Sequence, residues 1–366
     1  MLTLIVTYNF REYVINSSHR RVYLTPPVIN QFTVKERISC IRAHRERLFR
    51  IDYEQSSDKH LFHLYGHGGA GWTFLPGSIN QSMRLFNQQA INPKQPIAVI
   101  GAGCYGLMSA IELARAGHSV TIYAQETQNI TSFNAAGFFF PRHRKSSTPA
   151  EIAQFTQTGL ESYQEYVRII KGEHQYLHTG IQLLPAYYAP DIDPGFGPYI
   201  AHGIMSAPEE VIIDFNTNAY YHAMAYKSLF INAPILMDQL EQERKRLAIP
   251  IVITTVHSWN DLNQNIIFNC AGLGAKALTH DPKIIPVQGH LITLMHQPPI
   301  EQLQYMINFK VTQPSPYGHV RDELIYFAPK DNGILGITFK RGVSDPAAHT
   351  YEFDRLLERS AQFFGT

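Results

Sequence analysis

Cysteine is scarce. The 366 residues hold three, Cys40, Cys104 and Cys270, with no CxxC spacing, so neither a disulfide framework nor a cysteine-bound zinc site is expected. A surplus of charge of one sign is also missing: 31 Lys and Arg against 30 Asp and Glu leave a formal +1. Without a basic excess or run, nucleic-acid binding and polybasic docking on a membrane lose their electrostatic basis. No stretch approaches the roughly 20 apolar residues that cross a bilayer. The opening MLTLIVTYNF lacks the basic start and small-residue cleavage site of a secretory signal. Repeats and low-complexity segments are absent. With 45% hydrophobic and 17% charged residues, the chain is expected to be a soluble, cytoplasmic globular protein of one large domain or two ordinary ones.

The clearest positive signal lies between residues 97 and 123. Ile97–Ile100 reads as a buried strand, Gly101-Ala-Gly103-Cys-Tyr-Gly106 as a turn, and Leu107, Ala110, Ile111 and Ala114 as one face of a helix. Gly117 then stops that helix and Ser119–Tyr123 forms a second strand. A GxGxxG that follows a strand and opens a helix is a dinucleotide fingerprint. Gly101 makes the tight turn, Gly103 lets the backbone approach a pyrophosphate, and Gly106 permits close helix–strand packing. Cys104 and Tyr105 fill the variable slots, Cys104 as a packing residue. About 20 residues on, Glu126 or Gln125 is placed to accept the adenosine ribose hydroxyls. No arginine cluster stands there for a 2′-phosphate, which disfavours NADP.

Elsewhere, Leu4–Thr7, Tyr13–Ile15 and Arg21–Leu24 are β-forming, and Ser39–Asp52 is dense in arginine. Ile79, Met83 and Leu85-Phe86 have helical spacing, and Asn87–Gln95 reads as a linker. Helices are predicted over Ala153–Ile170, Ile235–Leu247 and Tyr351–Phe364. Strands are predicted at Ile251–Thr255, Asn265–Asn269 and Gly289–Leu294. A hairpin joins Leu324–Ala328 to Gly333–Phe339 through Pro329–Asn332.

These residues together resemble the D-amino-acid oxidase family of FAD-dependent enzymes. Beyond the fingerprint, TSFNAAGFFFP (Thr131–Pro141) is similar to the family loop in which hydroxyls, here Thr131 and Ser132, hold the pyrophosphate. Ala135, Ala136 and Gly137 then lie along the flavin. Ile266–Leu294 resembles the long family motif with an Asn-Cys-X-Gly turn, here ending at Gly272, before a strand with a Gly-polar pair. Val256 matches a position whose backbone meets the adenine portion. Two further motifs stand ahead of the fingerprint, where the family has them behind it. YGHGGAGWT (Tyr65–Thr73) resembles the glycine-rich turn whose Gly68, Gly69, Ala70, Gly71, Trp72 and Thr73 face the flavin N1–C2 edge, where backbone dipoles stabilise negative charge. Cys40-Ile41-Arg42 resembles the strand bearing the substrate arginine. The resemblance therefore implies a circularly permuted order, bridged by the 87–95 linker, which at roughly 3.3 Å per residue spans some 30 Å. A fusion of two truncated relatives needing a partner chain is the rival.

In catalytic terms the resemblance implies that Arg42 clamps the substrate carboxylate by bidentate hydrogen bonds, with Tyr326 also touching it. Cys40 and Ala43 replace the family's glycine and proline around that arginine, so Arg45, Arg47 and Arg50 remain alternatives. Asp322 stands where a lid tyrosine is usual, and Tyr317 is the substitute. Both tyrosines also read as ordinary sheet aromatics. His143 and His290 are candidates near the flavin motifs. His60, His63 and His67 straddle a strand and a turn, not one helix face, so no metal site is assigned to them. Arg321 could meet the side-chain carboxylate of an acidic substrate, although a solvated hairpin position is the simpler reading.

The expected fold is α/β, a Rossmann-like FAD domain plus a sheet-based substrate domain. Residues 1–38 form an extension of unknown role and 39–170 the FAD core, divided into the permuted motif 39–87, linker 88–96 and Rossmann unit 97–170. Residues 171–248 belong mostly to the substrate domain, 249–290 return to the FAD domain, and 291–366 complete the substrate domain with a closing helix. The implied reaction is oxidative deamination of a D-amino acid or related small amine, by hydride transfer from the α-carbon to flavin N5. The imine formed hydrolyses to an oxo acid and ammonia. Oxygen is the expected acceptor, and homodimerisation is left open. Alternatives are an amine dehydrogenase with another acceptor and a catalytically silent FAD-binding or sensory protein. A nicotinamide-linked dehydrogenase has no use for the motifs outside the fingerprint.

Overall fold

A computed structural model describes residues 19–366 apart from 93, 129, 143–146, 218–219 and 315–319. The predicted strands Leu4–Thr7 and Tyr13–Ile15, and the candidates His143 and Tyr317, lie outside the described residues. Strands β1 (Arg20–Tyr23) and β2 (Val34–Arg45) are followed by β3 (Arg50–Ser56), β4 (Lys59–Tyr65) and helix α1 (Gly71–Asn87). Next come β5 (Ile97–Ile100), α2 (Cys104–Arg115), β6 (Val120–Ala124), the one-turn α3 (Thr131–Asn134) and the long α4 (Pro149–Ile170). The middle of the chain adds β7 (Ile181–Tyr188), α5 (Gly197–Ala201), β8 (Glu209–Asp214), β9 (Tyr220–Ile231) and α6 (Ala233–Arg246). The last third holds β10 (Ile251–Ile253), β11 (Ile266–Asn269), α7 (Ala275–Thr279), β12 (Ile284–Leu294) and β13 (Met306–Pro314). It ends with β14 (Val320–Ala328), β15 (Ile334–Gly336), β16 (Lys340–Arg341) and α8 (Tyr351–Phe364).

Two sheets organise these elements. The first has six strands in the order β10-β6-β5-β11-β4-β3, parallel except for the antiparallel β4–β3 edge. Both its faces are covered, which explains the continuous apolar run of β5. Ile97 and Val99 face the main core with α1 and α2, while Ala98 and Ile100 face a smaller cluster with Leu61, Leu262 and Ile267. The second sheet has ten strands, running β1-β8-β9-β7-β13-β14-β15-β12-β16, with β2 also paired to β12. The expected α/β fold, a Rossmann-like part plus a sheet-based part, is what the chain forms, and the second sheet mixes parallel and antiparallel pairs. Among the described residues no helix is long and apolar enough to cross a membrane.

Local signals set several boundaries. Thr148, Pro149 and Glu151 make a capping box with proline at the first helical position, so α4 begins four residues before its apolar periodicity. Two expected boundaries shift. The segment 39–87 does not stay together, because β2 finds its backbone partner along β12 from Val34 to Arg45. Arg42 therefore sits in the second sheet, while β3, β4 and α1 belong to the first. By the same pairing, β12 enters the second sheet at Ile284, ahead of the expected return at 291. The predicted strand Gly333–Phe339 is broken, since the Thr338 carbonyl accepts from the Arg42 side chain.

α1 starts at Gly71, eight residues before its periodicity, and contains Pro76. Proline has no N–H, so the Trp72 carbonyl one turn back loses its helical donor. Tyr166 of α4 donates its hydroxyl to that carbonyl, in a fully buried position. Tyr166→Phe should leave the carbonyl unpaired and lower stability by about 1–3 kcal/mol, read from the urea midpoint with an unchanged m-value. An unchanged midpoint would show that α1 does not depend on this donor.

Candidate cofactor and substrate site

The fingerprint, the glycine-rich turn and the Asn-Cys turn all emerge from the carboxyl ends of adjacent parallel strands β5, β4 and β11. In such sheets the crevice beyond that edge is the ligand position. Gly101 takes a left-handed φ of 106°. A Cβ at Gly106 would lie 1.9 Å from the Gly101 carbonyl oxygen, so only glycine lets α2 approach its own turn this closely. Gly103 caps α2 in extended geometry and contributes no side chain, and the first turn carries no acid. The Cys104 amide donates to Ser132 Oγ at 3.1 Å. Burial pushes the Cys104 thiol up to about 11 and Cys270 to about 12, so both are packing residues rather than nucleophiles.

The glycine-rich turn lies against this helix. Tyr105 donates its hydroxyl to the Gly71 carbonyl at 2.8 Å, and the His67 ring stacks on Tyr105 at 4.2 Å and on Phe49 at 4.3 Å. His67 Nε2 pairs with Ser78 Oγ at 3.1 Å. Gly68, Gly69 and Ala70 form a 3₁₀ turn that leads into α1. Trp72 Nε1 donates to the Ser132 carbonyl at 2.9 Å, and Thr73 Oγ1 accepts from the Phe140 amide at 3.1 Å. Residues that are distant in sequence thus form one wall. Thr131 departs from its expected direction, donating its hydroxyl to the Ile41 carbonyl at 2.9 Å. Ala135, Ala136 and Gly137 lie against the second sheet, where the Ile231 amide donates to the Gly137 carbonyl. Gln125 and Glu126 are exposed just past β6. Beside them runs the segment after β10, where the Thr254 amide donates to the Ala124 carbonyl two residues before Val256. Gly272 opens a 3₁₀ turn after Asn269.

Arg42 is buried at 4% exposure. Its Nε donates to the carbonyl of Val287, its cross-strand partner, and Nη2 to the carbonyls of Gln288 and Thr338. Gly289 makes room for the guanidinium, since a Cβ there would lie 2.5 Å from Nη2. Phe339 covers it at 4.5 Å. Burial lowers its pKa, and Nη1 is left buried without a hydrogen-bond partner. A Cβ on Gly69 would lie 3.3 Å from that nitrogen, so it faces the glycine-rich turn. The other arginines are committed elsewhere: Arg45 to Asp281 at 2.7 Å, Arg47 to Glu151 at 2.8 Å, and Arg50 to Asp52 and Glu54 at 2.8 and 2.9 Å. His290, fully buried, pairs its Nδ1 with Thr338 Oγ1 at 2.6 Å and so supports the residue whose carbonyl holds Arg42.

Tyr326 is buried, its ring tilted against Phe138 at 3.9 Å, and it accepts the Phe138 amide on its hydroxyl at 3.2 Å. Its cross-strand neighbours are residues that the sequence did not single out. Tyr188, Asn308 and Tyr326 stand in register on β7, β13 and β14, sharing one face of the sheet. Tyr188 Oη and Asn308 Oδ1 are buried without partners. Lys330 was also missed. It is 2% exposed, and its Nζ donates to the carbonyls of Phe133 at 2.9 Å and Ala135 at 3.0 Å. Burial lowers its pKa. A lysine after a hairpin proline gives no sequence signal, because its partners lie about 195 positions away.

One feature fits FAD: an N-terminus on α2, free of side chains and of acids in its first turn, at the sheet's carboxyl edge. A family model described as FAD dependent oxidoreductase (DAO) matches residues 96–366. The chain belongs to this FAD-dependent oxidoreductase family. It is 26% identical over 212 residues to a D-aspartate oxidase of Homo sapiens, covering 54% of this chain and 58% of that protein. A D-amino acid oxidase of Dugesia ryukyuensis is 24% identical over 212 residues, covering 55% of this chain and 61% of that protein. The matches thus span about three fifths of the length of these relatives. Among solved structures, a glycine oxidase from Geobacillus kaustophilus matches with a TM-score of 0.51 at 17% identity, covering 73% of this chain and 78% of that one. One from Bacillus cereus matches at 0.50 and 15%, covering 73% and 79%. These show the shared fold.

Lys330→Met should leave two carbonyls unpaired, loosen the 131–141 loop and weaken FAD binding at least tenfold, on the order of the 1–3 kcal/mol that an orphaned buried group costs. Flavin release in a dilution assay reads this, and unchanged affinity would remove Lys330 from the site. His67 is held neutral by burial, with its pKa moved from 6.5 to about 3. The unfolded chain therefore binds a proton that the folded one refuses between those values. Stability is full above about pH 6.5 and falls as pH drops, by up to about 1.4 kcal/mol per unit from this residue. Urea midpoints at pH 7 and pH 5 should show a smaller difference in His67→Gln than in the parent, and equal differences would exclude His67 as the source.

Proposed function

We propose that the chain uses FAD to oxidise a D-amino acid, or a related small amine such as glycine or sarcosine, to an imine that hydrolyses to an oxo acid and ammonia. Oxygen is the proposed acceptor. The observation that carries this reading is Arg42, a buried guanidinium with no carboxylate paired to it among the described residues and one donor unfilled. Burying such a charge without a counter-ion is costly, and a substrate carboxylate at Nη1 removes that cost. In the present conformation the side chain offers one nitrogen, so a bidentate clamp requires Nη2 to release a backbone carbonyl. Tyr188, Asn308 and Tyr326 supply hydroxyl and amide groups along one face, suited to orienting the rest of a small polar molecule. FAD, when bound, supplies the two-electron acceptor for the C–H bond beside the amine. The side chains contribute position, charge and exclusion of water, with no step that demands a protein base.

We also infer that the chain order is permuted. The family match begins at residue 96, whereas β4 comes earlier yet pairs with β11 in the same parallel sheet and leads through the glycine-rich turn into α1. A rearranged chain with residues 34–95 moved behind Thr366 through a flexible linker should fold and bind FAD. Failure to do so at every linker length would count against permutation.

The test of activity is anaerobic. D-amino acids, glycine and sarcosine are added in turn to the yellow protein while the flavin band is followed. Bleaching by a member of the panel, reversed by oxygen, is the expected result. Bleaching that persists in air would point to a dehydrogenase, and a yellow protein that none of them bleaches would favour a silent FAD-binding role. Arg42→Met should lower kcat/KM at least a hundredfold, on the order of a lost charged contact. A change under about threefold would move the carboxylate elsewhere.

A further inference from the structure

At the far edge of the ten-stranded sheet, three side chains meet that the flavin site does not use. His19 immediately precedes β1, Glu210 lies on β8 and His222 on β9. The parallel register Arg20 to Val211 places His19 level with Glu210, and the antiparallel register Ile212 to His222 sets His222 diagonally across from it. All three therefore project from one face. His19 Nε2 is 3.2 Å from Glu210 Oε2 and His222 Nε2 is 3.4 Å from the same oxygen. The three ligand atoms lie within 4.8 Å of one another.

We propose that His19, Glu210 and His222 form a binding site for a divalent first-row transition ion of the zinc class. Ligands bonded at 2.0–2.2 Å in a tetrahedron stand about 3.4 Å apart, and the two imidazole–carboxylate separations match that edge. Two imidazoles with one carboxylate suit zinc or its neighbours rather than magnesium or calcium, which take oxygen ligands. The fourth position is open to solvent, since the Glu210 side chain is 51% exposed while the imidazoles are 24% and 19% exposed. The neighbouring arginines do not occupy the carboxylate: Arg20 pairs with Glu209 at 2.7 Å and Arg21 with Asp214 at 3.5 Å.

The site ties the four-residue β1 to the β8–β9 pair at a sheet edge. The strand order sets four steps between β8 and β14, which carries Tyr326, or about 19 Å at the usual strand spacing. The ion therefore acts on the fold of the edge and not on substrate. The competing arrangement has both rings donating Nε2–H to Glu210 with no ion present. Zinc binding separates the two, because the ion replaces those protons.

The experiment uses the full chain without an affinity tag, stripped with EDTA and dialysed. Calorimetric titration with zinc should show one equivalent bound with micromolar affinity, and saturating zinc should raise Tm by about 3 °C or more. Cobalt should give the visible bands of a tetrahedral N/O site, without the thiolate charge-transfer band that a cysteine site would show. Glu210→Gln, at a half-exposed position, and the double variant His19→Ala/His222→Ala should each weaken binding at least about tenfold. Absence of zinc binding below 1 mM, on the order of background affinity, or unchanged binding in both variants, would overturn the site. A thiolate cobalt spectrum would overturn it as well.

Discussion

β11 is the strand on which the candidate site depends. Its four residues are fully buried and take parallel partners on both sides, β5 along Ile97–Ile100 and β4 along His60–His63. Parallel strands end at one edge, so the turns after all three open side by side. The contacts that build the wall follow from this: Tyr105 reaches the Gly71 carbonyl and Trp72 reaches the Ser132 carbonyl. The small apolar cluster beneath β11 and the larger core above it fix the strand from both faces. Burial of apolar area thus positions a turn whose own residues are too small to pack.

The second sheet adds charge. Arg42 and Lys330 are both buried, and both are held by backbone carbonyls, three for the arginine and two for the lysine. Carbonyl dipoles satisfy the donors without cancelling the charge. The result is two buried cations: Arg42 beside the glycine-rich turn, without an ion pair among the described residues, and Lys330 beside the 131–141 loop, where Asp331 and Glu36 partly offset its charge. Fixed positive charge in a poorly solvated place stabilises an anionic group far more than the same charge in water. The sheet that carries the polar row of Tyr188, Asn308 and Tyr326 also carries Arg42, and Lys330 sits in the turn between two of its strands, so the same sheet supplies polar groups and positive charge.

Much of the first sheet was legible. The fingerprint, α2, β6 and α8 follow from local periodicity and glycine placement, because each is set by residues within one turn or one strand of each other. The hairpin through Pro329–Asn332 was legible for the same reason. β2 was harder: from Ser39 on it falls in an arginine-dense segment that only the family resemblance marked as a strand, and its pairing with β12, 239 to 260 positions away, places it in the second sheet. α1 was read late because its opening residues, Gly71 to Pro76, have poor helical propensity, and tertiary partners such as Tyr166 stabilise them. The Thr131 hydroxyl, assigned to a phosphate by resemblance, meets Ile41 in this structure because β2 passes beside the loop.

The sequence by itself determined the dinucleotide fingerprint, the family resemblance and the unusual order of its motifs, since these reside in short runs whose chemistry depends on adjacent residues. It singled out Arg42 among several arginines only by motif position. The tertiary structure decided the rest, because burial and pairing are long-range: Asp281, Glu151, Asp52 and Glu54 take the competing arginines, while Arg42 keeps a nitrogen without a partner. Lys330, Asn308, Tyr188 and the His19–Glu210–His222 cluster came into view only there. Each joins residues far apart in the chain, and no spacing along one segment records which neighbour the fold will supply.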